Sequence, residues 1–114
     1  MARELRAYLW DVAQAAADIQ SFIANKTADE YRGNPMIRAA VERKLEIIGE
    51  ALSQAIRYFP EITNSISHCK QVIALRNRLI HGYATVSDLL IWEIVQNDVP
   101  QLRQEAEAML HRVQ

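Results

Sequence analysis

The chain has 114 residues, which suits one compact domain spanning residues 1–114, because two domains would each be too small to bury a core. Half of the residues are hydrophobic and 24% are charged, a composition that excludes an intrinsically disordered chain. A net charge of −1 argues at first against a nucleic-acid partner. The charge is uneven, however, with −2 over residues 1–31, +4 over residues 32–78 and −3 over residues 79–114. The near-neutral total therefore conceals a basic middle segment.

The sequence predicts a cytoplasmic protein without membrane association. No apolar run approaches the ~20 residues of a membrane-spanning helix, and residues 1–4 lead directly into an amphipathic pattern rather than a signal peptide. The single cysteine, Cys69, cannot form an internal disulfide, as is typical of a reducing compartment.

Apolar residues recur at the spacing of amphipathic helices in four segments. These segments run from Leu5 to Ile23, from Ile37 to Ile56, from Val72 to Ile80 and from Trp92 to Val113. The polar stretch 25–34 between the first two is typical of a loop. No segment shows the alternation of a strand, so we predict an all-α, up-and-down bundle of four to five helices.

Residue types predict where two helices begin and where a neighbouring helix can approach closely. Thr27 and Glu30 can cap one short turn within the loop. Asn34 and Pro35 have the residue types of an N-cap and a first helical residue. Gly49, inside the second long helix, is expected to permit close approach of a neighbouring helix, since glycine costs roughly 1 kcal/mol against alanine in a helix interior.

The third helix is shorter, and for it and the fourth helix the sequence offers two starting residues each. The third is expected to begin near Ser65 or Ser67 and to end at Gly82, the C′ residue. The fourth is expected to begin after Thr85 or Ser87. Pro100 lies within its apolar pattern and is expected to kink that helix rather than end it.

The apolar stripes of the first and last helices can cover an internal core or the face of a homodimer. The small size and high hydrophobic content favour a symmetric homodimer. We interpret Trp10 and Trp92 as core or interface residues, and Cys69 as a small buried hydrophobe. His68 and Cys69 are unsuited to share a metal ion, because neighbouring residues on a helix point about 100° apart.

Arg76 is the most unusual residue of the third helix. It lies four residues after Val72 and four before Ile80, which places its guanidinium along the apolar stripe. That position is costly unless the charge is paired or faces a cleft. A snorkelling side chain or an interhelical ion pair is the usual explanation for a single arginine, but it must also account for the residues that follow, 77–83.

His81 is expected at the end of the same helix, where the dipole favours the imidazolium. A C-capping histidine would have the same position. On a continuous helix Arg76 and His81 would point about 140° apart, at ~100° per residue. The two side chains can therefore meet only if the last turn is distorted or if a second subunit completes the site.

Arg76, four intervening residues, His81, one residue and Tyr83 together resemble the signature of the HEPN superfamily, and most closely its HepT branch of small toxins. Two further stretches support the resemblance. Residues 43–51 are similar to the HepT helix that precedes the motif, and residues 90–100 are similar to the last HepT helix, including its proline.

The resemblance implies a metal-independent endoribonuclease, without a cofactor, that acts as the toxin of a toxin–antitoxin pair. Its implied partners are a second copy of the chain, an MNT-type nucleotidyltransferase antitoxin, and a tRNA or mRNA substrate. Arg76 would bind the scissile phosphate, since a planar fork suits phosphate. His81 would act as general base on the ribose 2′-hydroxyl or as acid on the leaving oxygen. The implied products carry a 2′,3′-cyclic phosphate and a 5′-hydroxyl.

Other residues receive supporting roles. Asn77 is expected to orient the substrate or His81, and Arg78 belongs to the same basic segment. Tyr83, by resemblance, would accept AMP groups from the antitoxin, and the added charge and bulk would block RNA. Packing of an aromatic ring at the turn is the structural alternative for Tyr83.

Arg43, a candidate RNA contact, shares one sector of about 60° of the second long helix with Glu46, Glu50 and Arg57. This sector fits an exposed lattice of ion pairs and a contact surface equally well. Two carboxylates without a histidine at suitable spacing do not indicate a metal site.

Two other functions remain open at this point. HEPN domains also occur as non-catalytic modules that help a nucleotidyltransferase bind its substrate. A plain helical interaction protein with Arg76 in a buried ion pair is the second alternative. The presence of both Arg76 and His81 favours the enzyme.

Overall fold

A computed structural model describes residues 3–82 and 86–113 of the chain. These residues form five α-helices and one 3₁₀ helix, without a β-strand among them. The elements are α1 (Leu5–Ile23), α2 (Ala28–Arg32), α3 (Pro35–Tyr58), the 3₁₀ helix (Pro60–Asn64), α4 (Cys69–His81) and α5 (Asp88–Arg112). The predicted all-α bundle of four to five helices is confirmed.

The core forms where α1 packs against both α3 and α5, while α4 packs against α3. The short α2 contacts α3 and α5. The stripes predicted for α1, α3 and α5 supply most of the fully buried side chains, among them Leu9, Val12, Ile19, Val41, Leu45, Ile48, Leu52, Val99 and Leu102. Burial of these apolar side chains stabilises the bundle. No described helix has both the length and the apolarity that crossing a bilayer requires.

The predicted caps of α2 and α3 are confirmed. Thr27 Oγ1 accepts a hydrogen bond from the backbone N–H of Glu30 at 3.1 Å, and the Thr27 N–H donates to the Glu30 carboxylate at 2.9 Å. These bonds lower the pKa of Glu30. At the start of α3, Asn34 Oδ1 accepts from the N–H of Ile37 at 3.1 Å. A local side chain thus satisfies one of the free N–H groups at the start of each helix.

The predicted start of α4 near Ser65 or Ser67 is wrong. Pro60 opens a 3₁₀ helix instead, and α4 begins only at Cys69, after His68 in a left-handed conformation with φ of 64°. The N–H and Oγ–H of Ser67 both donate to the carboxylate of Glu105 on α5, at 3.0 Å each. Because that hydroxyl is engaged by another helix, Ser67 does not cap α4.

The other predicted ends agree with the structure. Gly82 ends α4 with φ of 65°, in the left-handed region that favours glycine. Ser87 caps α5, accepting from the N–H of Leu90 at 3.3 Å. The helix α5 then continues through Pro100. Cys69 is buried, as predicted, and burial raises the pKa of its thiol.

Trp10 and Ile80 are exposed. Trp10 is 60% exposed on α1, so of its two interpretations the core residue is wrong and the interface residue stays a prediction. Ile80 is 47% exposed, because the buried face of α4 follows Val72 and Leu75, and Ile80 points away from that face. Trp92 is half-buried and packs against Tyr31 of α2, with ring centroids 5.5 Å apart.

Candidate active site

The close approach of α3 and α4 creates the candidate site. Gly49 of α3 is buried, and a Cβ added there would overlap the Cβ of Arg76, lie 2.8 Å from its Cγ and 3.2 Å from the carbonyl oxygen of Val72. The absence of a side chain at Gly49 therefore lets the stem of Arg76 lie directly on α3. This confirms the prediction that Gly49 permits close approach.

The guanidinium of Arg76 is held at this crossing by two neighbours. Its Nη2 forms an ion pair with the Glu50 carboxylate, and its Nη1 donates to Asn77 Oδ1 at 2.8 Å. The other Glu50 oxygen accepts from Gln54 Nε2 at 2.7 Å. The expectation that Arg76 must be paired or face a cleft is confirmed, because both conditions hold.

The hydrogen bonds leave part of the guanidinium unused. Its Nε–H is buried and has no hydrogen-bond partner among the residues that the structure describes. This donor is open to a further hydrogen bond, as are the buried Tyr31 Oη and Arg38 Nε. Each Nη also retains a second N–H, since a guanidinium carries five donors. The Arg76 side chain is 25% exposed, and a phosphate can reach it from the cleft.

The cleft beside Arg76, called here the α3–α4 cleft, has a volume of about 290 Å³. Its walls are Arg3, Asp11, Arg43, Glu46, Ile47, Glu50, Ala51, Gln54, Arg76 and Ile80. Arg43 is thus brought into the same cleft as Arg76, where it pairs with Glu46 at 3.3 Å. Each of the three arginines of the cleft pairs with a carboxylate of the same cleft, so their charges balance. A phosphate would therefore bind through the N–H groups that the arginines retain.

One sector of α3 is predicted to be either an exposed lattice of ion pairs or a contact surface, and it has features of both. It contains Arg43, Glu46, Glu50 and Arg57. Arg43 and Glu46 form an exposed ion pair, with Arg43 68% exposed. Glu50 instead reaches Arg76 on the neighbouring helix. Gln54, which the sequence interpretation missed, follows Glu50 by four residues, the spacing at which helical side chains meet.

His81 is the last residue of α4 and is exposed. It is not among the walls of the α3–α4 cleft. The helix is continuous from Cys69 to His81, so Arg76 and His81 point about 140° apart on it. The two side chains could meet through distortion of the last turn or through a second subunit. Distortion of the last turn is not observed, because the chain changes direction only at Gly82, after His81.

Arg78 lies on another side of α4. It lines a groove of about 420 Å³ between α4 and α5. It also lines a smaller cavity beside the Arg38–Asp88 ion pair, whose charged atoms are 3.3 Å apart. The structure therefore does not bring Arg78 into the cleft of Arg76. Tyr83 lies outside the described residues.

Comparison with known proteins points to one family. The family model described as "Ribonuclease HepT-like" matches residues 12–109. A Methanocaldococcus jannaschii protein named "Putative RNase" is 39% identical over 105 residues, covering 92% of this chain and 95% of the relative. A Thermococcus cleftensis protein named "Probable ribonuclease HepT" is 30% identical over 109 residues, covering 96% of this chain and 98% of the relative. No solved structure matches the chain.

Proposed function

Because this chain belongs to the family of HepT-like ribonucleases, we propose that it is a metal-independent endoribonuclease whose active site contains Arg76 and His81. The observation that carries the proposal is the environment of Arg76. Its guanidinium is oriented by Glu50 and Asn77, retains unused N–H groups and borders an open cleft. A pre-oriented arginine of this kind suits the charge that develops on a phosphate during cleavage.

The proposed reaction is internal transfer of a phosphodiester. The ribose 2′-oxygen attacks phosphorus and loses its proton to a base, while the bond to the 5′-oxygen breaks and that oxygen gains a proton. A 2′,3′-cyclic phosphate and a 5′-hydroxyl result. Arg76 stabilises the negative charge on the phosphate oxygens, and His81 takes or supplies one of the two protons.

The divergence of Arg76 and His81 on one helix supports a site shared between two chains. In a symmetric homodimer, Arg76 of one protomer would meet His81 of the other, and each dimer would contain two equivalent sites. Arg43 would support the substrate from the cleft of the first protomer, and Asn77 through its bond to Arg76. Arg78 would support it from the groove between α4 and α5.

We propose further that the enzyme is the toxin of a cytoplasmic toxin–antitoxin pair. The proposed antitoxin, an MNT-type nucleotidyltransferase, would transfer AMP from ATP to the hydroxyl of Tyr83, with release of pyrophosphate. Tyr83 is two residues from His81, so the added phosphate would repel RNA at the site. Mass spectrometry after co-expression tests this step, and an unmodified Tyr83 peptide would contradict it.

The central experiment is incubation of the purified chain with tRNA and with mRNA in EDTA. We expect cleavage by the unmodified chain and at least about 100-fold slower cleavage by Arg76→Ala and His81→Ala, as for loss of a transition-state contact. Arg112→Ala, an exposed arginine at the end of α5, is the matched control. Binding of RNA without cleavage would favour the non-catalytic module instead.

A further inference from the structure

A second cavity, of about 500 Å³, adjoins the α3–α4 cleft. The two share four walls, Arg3, Glu50, Gln54 and Arg76. The remaining walls of the second cavity are Tyr8, Ser53, Arg57 and Tyr58, and we call it the Tyr58 cavity. Its size lies within the range of small-ligand sites, so it has room for a nucleotide next to Arg76.

An exposed aromatic ring borders this cavity. Tyr58 is the last residue of α3 and is 46% exposed, unlike Tyr8, which is buried. The guanidinium carbon of Arg57 lies 5.7 Å from the centroid of the Tyr58 ring. An accessible ring beside arginines is the arrangement on which proteins stack unpaired nucleobases.

Arg57 differs from the other cations of the two cavities in its partners. Arg3 pairs with Asp11 at 2.9 Å, Arg43 pairs with Glu46, and Arg76 pairs with Glu50. Arg57 forms no ion pair with any residue in the described ranges 3–82 and 86–113. Its charge is therefore not neutralised by a carboxylate, and a phosphate can bind it without displacing one.

We propose that Tyr58 and Arg57 form a nucleotide subsite of the RNA substrate, adjacent to the scissile phosphate at Arg76. The Tyr58 ring stacks on a base, and Arg57 binds a neighbouring phosphate. The Glu50 carboxylate, which lies in the same cavity, disfavours a second phosphate near Arg76 and so directs it toward Arg57. A base on this ring cannot also be paired in a helix, so the substrate class is single-stranded RNA. The subsite rests on the proposed function of the Arg76 cleft.

Binding of RNA that cannot be cleaved isolates the subsite from catalysis. A short 2′-O-methyl RNA lacks the attacking hydroxyl, and its Kd is measurable by fluorescence anisotropy. We expect Tyr58→Ala to raise Kd about 5- to 30-fold, because a stacked base is lost. Tyr58→Phe should stay within about twofold, since phenylalanine presents the same stacking face. Met36→Ala, at an exposed apolar residue outside both cavities, is the control.

The salt dependence of binding tests Arg57. One phosphate contact on a single strand contributes about 0.7 to the slope of log K against log salt concentration. We expect Arg57→Gln to reduce the slope by that amount, and Arg112→Gln to leave it unchanged. Equal melting temperatures would confirm that all variants are folded.

Oligomers with one abasic position locate the stacked nucleotide. At a single position near the cleavage point, loss of the base should weaken binding to the unmodified chain but not to Tyr58→Ala. If Tyr58→Ala and Arg57→Gln leave Kd and slope unchanged while the unmodified chain cleaves RNA, the subsite is wrong and the proposed function stands. If Tyr58→Ala weakens binding and no RNA is cleaved, the nuclease is wrong, and Tyr58 binds RNA without being part of a substrate subsite.

Discussion

Arg76 of α4 and Glu50 of α3 form an ion pair beside Gly49, and the stem of Arg76 lies on the glycine itself. One short stretch of α3 therefore supplies both the space for Arg76 and the carboxylate that orients it. The position of this guanidinium depends on the packing of two helices and not on a loop.

Gly49→Ala should displace Arg76. Alanine favours a helix by about 1 kcal/mol over glycine, but the new methyl group would overlap Arg76 and approach the backbone of Val72. We expect a net loss of roughly 1–3 kcal/mol in the free energy of unfolding, as for other overpacked sites, together with reduced RNA cleavage.

Urea denaturation measures this loss. Gly33→Ala is the comparison, because its φ of −82° suits alanine and its added methyl group would lie 3.3 Å from the carbonyl oxygen of Asp29, a tight contact but not the overlap found at Gly49. Its loss of stability should therefore be smaller than that of Gly49→Ala. Equal stability of Gly49→Ala and the unmodified chain would contradict the proposed close packing.

Glu50→Gln should separate RNA binding from catalysis. The amide keeps a hydrogen-bond acceptor for Arg76 but removes a negative charge from the cleft, so Kd for RNA should fall a few-fold. Arg76 would be less firmly oriented, and kcat should fall roughly 10- to 100-fold. Single-turnover cleavage and anisotropy measure the two effects. Glu46→Gln, which removes a charge from the same cleft at a residue that pairs with Arg43 rather than Arg76, is the control for kcat. An unchanged kcat would show that Glu50 does not position Arg76.

Mixing two inactive variants tests the shared site. If Arg76 and His81 come from different protomers, a heterodimer of Arg76→Ala and His81→Ala contains one intact site and one site lacking both residues. Random pairing then restores about a quarter of the activity of the unmodified chain. If both residues act within one protomer, no site is restored. Cleavage rates after refolding the mixture distinguish the two cases.

Glu42 should limit stability at neutral pH. Burial raises the pKa of this carboxyl, and the nearby charge of Asp88 raises it further, against the opposing effect of Arg38. A folded pKa above the unfolded value destabilises the fold when the carboxyl is ionised, and the cost disappears as pH falls through the folded pKa. Glu42→Gln should therefore raise the free energy of unfolding at pH 7, by less than about 1 kcal/mol.

The same substitution should have little effect at pH 4, where Glu42 of the unmodified chain is largely protonated. Chemical denaturation at the two pH values checks this dependence. Glu61→Gln, at an exposed glutamate of the 3₁₀ helix, should change stability equally little at both. A stabilising effect of Glu42→Gln that persists at pH 4 would contradict the assignment.

Much of the fold could be predicted because its signals are local. The caps at Thr27 and Asn34 bond to atoms three residues away, and the left-handed Gly82 follows from the conformational freedom of glycine. The start of α4 was missed because Ser67 bonds to Glu105 on α5, 38 residues later in the chain. No local pattern indicates such a partner.

The sequence by itself determined the helical spacing of the apolar residues, the caps, the place of Arg76 on its helix and the resemblance to HepT-like ribonucleases. Each of these depends on residue types at short separations, which backbone geometry converts directly into structure. Only the tertiary structure decided that Arg76 pairs with Glu50, that Arg43 shares its cleft and that Arg78 does not. Those relationships depend on how α4 lies across α3, and the crossing is set by side-chain packing between residues distant in the chain.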